Sequence, residues 1–374
     1  MKALHVNMTI DPVTGGGTAN RTMKIAKFMQ RAGNENIVLS TDQGLVGSEE
    51  DLVDGVKVIS LQCIIDRLYL PWFSWGQLKK LVADVDIIHL MSHWTIINII
   101  VYLLARKLKK PYTICPAGAL YIFGRSVFIK RLYNKLIGYN IVRNADVCIA
   151  ITEKEIEDFV AYGVSKSQIV IIPNGIDTDT YHYDEVLAHD FRDKFGLGDA
   201  PFILYMGRLN SIKGPDLLLE AFLGIRDRFP EYHLVMAGPD EGLGAELKRV
   251  VQSHELGDQV HFLDYIGGAD KVGAYCAAEL LAIPSRREAM SIVALEAGAC
   301  AAPVLLTDAC GFDEAGEVGG KLVSPSVESI RDGLLQLLGD KDELKLRGSR
   351  LQEKVLSRFT WANAAKKYSK VLSL

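Results

Sequence analysis

The sequence predicts an α/β protein of two doubly wound domains, and three observations carry that expectation. Short apolar runs alternate along the whole chain with segments whose apolar residues recur at helical spacing, the pattern of an open, mostly parallel sheet. The series pauses after a turn, Asn174 to Asp177, and resumes near residue 200, so it falls into two halves of one architecture. The 374 residues are too many for one ordinary domain and suit two of roughly 150 to 200 each.

In the first half, Lys2 to Asn7 reads as a strand, followed by the loop DPVTGGGTAN and a helix from about Arg21 to Ala32. Gly15, Gly16 and Gly17 lack the G-x-G-x-x-G spacing of a dinucleotide turn but allow a phosphate to approach the backbone closely; a flexible turn is the alternative. Further strands follow at NIVLST, VKVIS, DIIHL, YTICP, VCIAI and IVIIP. Asp84 and Asp86 form a D-x-D where a strand begins, on the side opposite to the edge where such sheets bind ligands, which argues against a metal role. His89 and His93 fall near the exit of that strand. A packed imidazole suits His89, whereas His93 is the better candidate for a general base or a hydroxyl contact.

Residues 125–143 interleave apolar side chains with Arg125, Lys130, Arg131, Lys135 and Arg143. Two readings fit: a basic amphipathic helix lying on an anionic membrane, or an internal helix with snorkelling cations. The expected domains are 1–178 and 179–356, with a closing helix at 357–374 that packs back on the first; the mixed, polar stretch up to about residue 200 reads as a linker. The second series runs FILYMG, the helix DLLLEAFLGIRDRF, HLVMAG, a helix from Ala245 to His254, VHFLDY, LLAIP and PVLLTD.

Hydrophobic residues at 49% and charged residues at 24% describe a soluble globular chain, and a net charge of −4 argues against nucleic acid as a partner. The charge is uneven: residues 1–165 hold 19 Lys+Arg against 15 Asp+Glu, so the first half is basic, which suits a phosphorylated substrate or anionic lipid. Six scattered cysteines have neither CxxC nor Cys/His metal spacing and read as free thiols of a reducing compartment. The longest apolar tract, Ile96 to Ala105, is about half of the roughly 20 residues that span a bilayer. A cytoplasmic protein, with possible attachment to the inner face of the membrane, is the expectation.

Chemistry concentrates after two strands of the second half. Arg208 and Lys213 follow FILYMG, with Gly214-Pro215 opening a helix; a forked cation, a point charge and a helix N-terminus together form a clamp for a diphosphate. After LLAIP, the stretch PSRREAMSIVALE places Glu288 and Glu296 on either side of a loop and helix start. Free amides there suit phosphate, and ionised carboxylates accept from hydroxyls, so the stretch fits a sugar nucleotide. The competing reading makes Glu288 a helix cap and leaves Glu296 on a solvated face.

Together GRLNSIKG, AGPDEG, LLAIPSRREAMSIVALEAGACAAPVLLTD and PNGID resemble the retaining glycosyltransferases of family four, which have the GT-B fold of two Rossmann-like domains facing across a cleft. The resemblance covers essentially the whole chain and includes an E-x7-E motif. It implies transfer of a sugar from a nucleotide-diphosphate sugar to a glycan or lipid-linked acceptor with retained configuration, without metal or other cofactor. Arg208 and Lys213 would hold the diphosphate, Glu288 would contact sugar hydroxyls, the backbone of Ala289, Met290, Ser291 and Ile292 would meet sugar and phosphates, and Glu296 would bind ribose. Gly16 and Gly17 would close over the diphosphate. Where relatives carry H-x-H-G-x-W and P-[H/R]-G-M-L, this chain has HLMSHW and PAGAL, so Met91 and Ala117 replace an imidazole or guanidinium and the acceptor side rests on His93, Ala117 and Gly118. A sugar-nucleotide epimerase of the same fold and a non-catalytic sugar-nucleotide-binding subunit are the alternatives.

Overall fold

The computed structural model describes residues 1–11, 14–43, 50–53, 55–122 and 126–372. Pro12 and Val13 of the glycine loop, and Arg125 of the basic stretch, lie outside the described residues. The chain forms two compact units, Met1–Asn174 with Trp361–Leu374, and Gly175–Thr360. The crossings lie a few residues from the expected boundaries because Ile176 N–H donates to the Phe359 carbonyl at 2.8 Å, which ties both segments into the second unit.

The first unit contains β1 (Lys2–Val6), β2 (Glu35–Thr41), β3 (Glu50–Val53), β4 (Val56–Leu61), β5 (Cys63–Ile65), β6 (Leu70–Pro71), β7 (Ile87–Met91), β8 (Tyr112–Cys115), β9 (Val147–Ala150) and β10 (Ile169–Ile171). Its main sheet has the order β10-β9-β8-β7-β1-β2-β4-β3, parallel except for the edge strand β3, which pairs antiparallel with β4; β5 and β6 form a separate hairpin. Side chains alternate across the sheet. One set, with Leu4, Val6, Ile88, Leu90 and Ile114, packs under the helices Trp75–Ala83 and Ile96–Leu108.

The other set is unusually polar. His5, His89 and Thr113 stand in register on adjacent strands and are all buried. His89 Nδ1 pairs with Thr113 Oγ1 at 2.7 Å, and its ring meets Tyr368 edge-on. The buried Arg21 donates to Asn174 Oδ1, the Ile172 carbonyl and Tyr368 Oη, at 2.8, 2.6 and 3.1 Å, with Trp361 and Tyr368 rings beside it. The helix Trp361–Leu372 is thus anchored by Trp361 and Tyr368. Asp84 and Asp86 bind Lys2 through its ammonium and its backbone N–H respectively.

The helix after β1 runs Gly16–Arg31 rather than from Arg21, because Asp11 organises the preceding turn by accepting from Thr14 N–H through its carboxylate and from Gly15 N–H through its carbonyl. The basic stretch is not one regular helix. Val127–Tyr133 and Tyr139–Arg143 are α-helical, and a π-helical turn, Asn134–Gly138, turns the Asn134 amide inward.

The second unit contains β11 (Phe202–Met206), β12 (His233–Ala237), β13 (Val260–Leu263), β14 (Leu280–Ile283), β15 (Val304–Thr307) and β16 (Lys321–Val323), all parallel in the order β13-β12-β11-β14-β15-β16. The expected linker instead contains a helix, Glu185–Phe195, capped by the Asp184 carboxylate on Leu187 N–H and ended by left-handed Gly196, with Phe191 buried. Among the described residues no helix is long and apolar enough to cross a membrane.

Glu155 is buried at the start of the helix Glu155–Ala161 and accepts from Ile151 N–H at 2.6 Å. Burial pushes its carboxyl up to about 7, against the pull of the Ile151 and Gly118 amides and the Arg21 charge. A raised carboxyl favours the protonated fold, so its contribution is complete below about pH 4.5 and disappears as pH rises through 7. Glu155→Gln should therefore gain stability over the parent between these limits, by on the order of 3 kcal/mol. Denaturant unfolding of both proteins at a series of pH values measures this difference.

Candidate functional site

Two loops at the carboxyl edge of the second sheet carry the candidate residues. Because β11 and β14 are neighbours, the loops that follow them lie side by side. The first, Gly207 to Gly214, is turned by Asn210, whose Oδ1 accepts from Lys213 N–H at 2.9 Å, and ends in the helix Pro215–Leu223. Gly214 has φ +69°, and a Cβ there would strike the Pro284 carbonyl of the second loop. Arg286 of the second loop reaches back: its guanidinium forks onto both Asp216 oxygens at 2.9 and 2.6 Å and donates to the Ser211 carbonyl, while its N–H donates to the Ile212 carbonyl.

This bracket brings Lys213 and Glu288 together. Lys213 Nζ lies 2.8 Å from Glu288 Oε1, which also accepts from Ser285 Oγ at 2.5 Å. The Glu288 side chain is only 10% exposed, so the pair is shielded while remaining open on the ammonium side. Arg208 is brought to the same loop but points to Glu241, Nη1 to Oε1 at 3.0 Å, and Asn210 Nδ2 holds the other oxygen at 2.8 Å. Both partners of the Arg208–Glu241 pair are about half exposed, and such pairs contribute less than about 1 kcal/mol. An incoming dianion can therefore recruit Arg208 at little cost.

The Glu288–Glu296 stretch departs from the capped-helix reading. Ser291, and not Glu288, caps the helix Ile292–Ala299 by accepting from Ala294 N–H. Glu296 is buried; its Oε2 takes bonds from Lys271 Nζ at 2.6 Å and Tyr275 Oη at 2.7 Å. Burial and this carboxylate together push the Tyr275 and Tyr181 phenols up. The expected row of free amides is also interrupted. Glu288 and Ser291 N–H donate to the Ala309 and Cys310 carbonyls, because the segment after β15 pairs with this loop, and Gly311 at φ +64° lies against the Ala289 carbonyl. Met290 is buried, and Ile292 opens the helix, where first-turn amides lack intrahelical acceptors.

The first unit is treated by itself. Gly16 and Gly17 form the first turn of the helix Gly16–Arg31, at the carboxyl edge of β1. Ala117 and Gly118 are consecutive left-handed residues, φ +51° and +83°, in a loop that Trp94 Nε1 and Tyr162 Oη hold through the Ala119 and Leu120 carbonyls. His93 does not face solvent. It is fully buried, bonds Asn134 Oδ1 at 2.9 Å and sits among Trp94, Tyr133 and Tyr162, and burial lowers it to about 4. The π-helical turn supplies Asn134, so the imidazole expected on the acceptor side is a packed, neutral one. Among the described residues no group of three or more His, Cys, Asp or Glu is arranged to hold a metal.

Residues 15–180 match the family model Glycosyltransferase Family 4, and residues 189–353 match Glycosyl transferases group 1. The chain belongs to family four of the glycosyltransferases, with the GT-B fold. A D-inositol 3-phosphate glycosyltransferase of Corynebacterium jeikeium is 34% identical over 245 residues, 62% of this chain but only 58% of that relative. Its counterpart in Corynebacterium urealyticum is 28% identical over 98% of this chain and 94% of its own. Anabaena HepE, solved in complex with UDP and glucose, matches with a TM-score of 0.79 at 19% identity, covering 100% of this chain and 99% of that one, and shares the fold.

In this family-four glycosyltransferase, sequence reasoning singled out Arg208, Lys213 and Glu288 but missed Arg286, Asp216, Glu241, Lys271 and Tyr275, which hold the site in place. The doubled arginine inside PSRRE was the one local signal for Arg286. Arg286→Lys keeps the charge and loses the fork; we expect about 1 kcal/mol less stability in thermal unfolding, together with slower sugar transfer. Lys271→Met leaves the Glu296 carboxylate buried without its cation and should cost roughly 2–3 kcal/mol, measured by denaturant unfolding.

Proposed function

We propose that this glycosyltransferase uses a nucleotide-diphosphate sugar as donor and transfers the sugar, with retention and without a catalytic metal, to a hydroxyl of an anionic or lipid-linked acceptor, in the synthesis of a polysaccharide, lipopolysaccharide or glycolipid. The observation that carries the reading is the Lys213–Glu288 pair at the carboxyl edge of the second sheet, with Arg208 on the same loop. Breaking the glycosidic bond leaves negative charge on the diphosphate. A fixed ammonium and a recruitable guanidinium stabilise that charge more in the transition state than in the ground state, which is the condition for catalysis. Glu288, oriented by Lys213 and Ser285, accepts from sugar hydroxyls, and Glu296, whose Oε2 is held by Lys271 and Tyr275, is the candidate for the ribose. The leaving phosphate takes the acceptor's proton, so no side-chain base is needed. The names of the curated relatives, which point to a phosphorylated polyol, and the basic first half of the chain favour an anionic acceptor.

The test is release of nucleoside diphosphate from a panel of UDP-, GDP- and ADP-sugars, with and without EDTA, followed by NMR of the product linkage. We expect turnover with one class of base, undiminished by EDTA, and an anomeric centre configured as in the donor. Dependence on added metal, or inversion, would refute the corresponding part of the proposal. Arg208→Ala and Lys213→Ala should each lower turnover on the order of 10²-fold; near-normal rates would remove them from the mechanism.

A further inference from the structure

Two cysteines that the transfer reaction leaves unused lie beside its ribose candidate. Cys276 stands in the last turn of the helix Gly268–Ala277 and is half-buried, and Cys300 follows the last turn of the helix Ile292–Ala299 and is buried. The same two helices carry the Glu296 cluster. Tyr275, next to Cys276, donates to Glu296 Oε2, Lys271 one turn earlier makes the ion pair, and Cys300 N–H donates to the Glu296 carbonyl at 3.2 Å. A third segment closes the ring. Tyr181 bonds Glu296, and its neighbours are tied to Cys276: Asp184 N–H donates to Sγ at 3.3 Å, and the thiol donates to the His182 carbonyl at 3.5 Å.

The two thiols meet and are unequal. A bond from the Cys300 thiol holds Cys276 below the ordinary thiol range, against burial and the Asp184 charge; the same contact, burial and the Glu296 carboxylate push Cys300 up. Cys63, the other cysteine short of full burial, is pushed up by burial, Asp66 and Asp42, and its thiol bonds the Gln43 side chain. A reachable sulfur with thiolate character touching a buried thiol is the pairing of an attacking and a resolving cysteine. We propose that Cys276 and Cys300 form a reversible disulfide with a peroxide as oxidant, and that this bond lowers donor affinity by displacing the partners of Glu296. The Cys276 thiolate attacks one peroxide oxygen, the O–O bond breaks, and the hydroxide that leaves takes up a proton as water. The Cys300 sulfur then attacks the sulfenic acid; the S–O bond breaks, and the second hydroxide takes the Cys300 proton. Each sulfur is oxidised by one electron, one peroxide is reduced to two waters, and a dithiol reverses the bond by exchange. Bonded sulfurs stand ~2.05 Å apart, much closer than touching thiols, so the bond draws the end of the helix Gly268–Ala277 toward Cys300 and takes Cys276 from the His182 carbonyl. Tyr275 and Tyr181 adjoin Cys276 and His182, so their bonds to Glu296 are the ones displaced. The effect on the donor rests on the proposed role of Glu296, whereas the disulfide does not.

The reduced full chain is treated with hydrogen peroxide, blocked with N-ethylmaleimide, cut with trypsin and mapped by mass spectrometry; Arg286 and Arg287 place the two cysteines on separate peptides. Binding of UDP, GDP and ADP is titrated before and after oxidation. We expect one intramolecular link, between the Cys276 and Cys300 peptides, that dithiothreitol removes. The nucleotide that binds the reduced chain should bind the linked chain about tenfold more weakly, the worth of one charge-assisted hydrogen bond. Cys300→Ala should stop at a sulfenic acid on Cys276 that dimedone labels, and Cys276→Ser should leave Cys300 reduced and nucleotide binding indifferent to peroxide. Absence of the link in the parent would overturn the proposal, as would a linked chain that binds nucleotide as tightly as the reduced one. A link that forms in a chain whose reduced state binds none of the three nucleotides supports the disulfide and places the failure in the donor reading.

Discussion

The bracket of Arg286 on Asp216 is the constraint on which the second unit's site depends. Lys213 and Glu288 belong to loops separated by more than seventy residues, and each loop is tied to the segment after a different strand, the first by a bridge from Leu209 to Asp240 and the second by bonds to Ala309 and Cys310. A planar fork onto both oxygens of a carboxylate, with two further bonds to the first loop's carbonyls, sets the angle between the loops as well as their distance. Gly214, where a Cβ would strike the Pro284 carbonyl, sets how close they come. The Lys213–Glu288 pair is therefore held by a second ion pair, whereas Arg208 is tied only to the half-exposed Glu241.

Much of this architecture can be read along the chain, for a physical reason. Strands of a parallel sheet are covered on both faces, so they appear as apolar runs that need no partner to be recognised, and every such run was found as a strand. What escaped was short or edge-bound: acidic β3, the β5–β6 hairpin and three-residue β16. The helix Glu185–Phe195 was hidden by polar composition, although Asp184 and Gly196 mark its ends in the usual way. In the site, Arg208, Lys213 and Glu288 were legible because each lies just after a strand. Glu241, Lys271 and Tyr275 come from other elements, and their partnerships exist only in three dimensions. The burial of His93 follows the same rule, since the asparagine bonded to it arrives from a π-helical turn that no periodicity announces.

The first unit carries a different economy of charge. Its buried polar layer of His5, His89, Thr113 and Arg21 lies where an apolar core would ordinarily sit, and burial holds His5 at about 4 and His89 well below its ordinary value, so both imidazoles are neutral. That leaves Arg21 as the permanent cation of the layer, bonded to one backbone carbonyl, an amide oxygen and a phenol rather than to a paired carboxylate. Such a group is costly to bury and specific once buried, because few alternative packings offer it the same acceptors.

Those acceptors do not become available together. Tyr368 and Trp361 lie on the far side of the second unit in the sequence, so during translation Arg21 must wait for them while residues 175–360 are made. At ribosomal rates of about 5–20 residues per second this interval is roughly 10–40 s. Until then the face of the first sheet that the final helix covers lacks that cover. The unit that emerges first therefore cannot be completed before the last helix of the chain has been made. A polar layer, which water can solvate, is a safer surface to leave waiting than an apolar one, and this gives the composition of that layer a role in the nascent chain as well as in the finished fold.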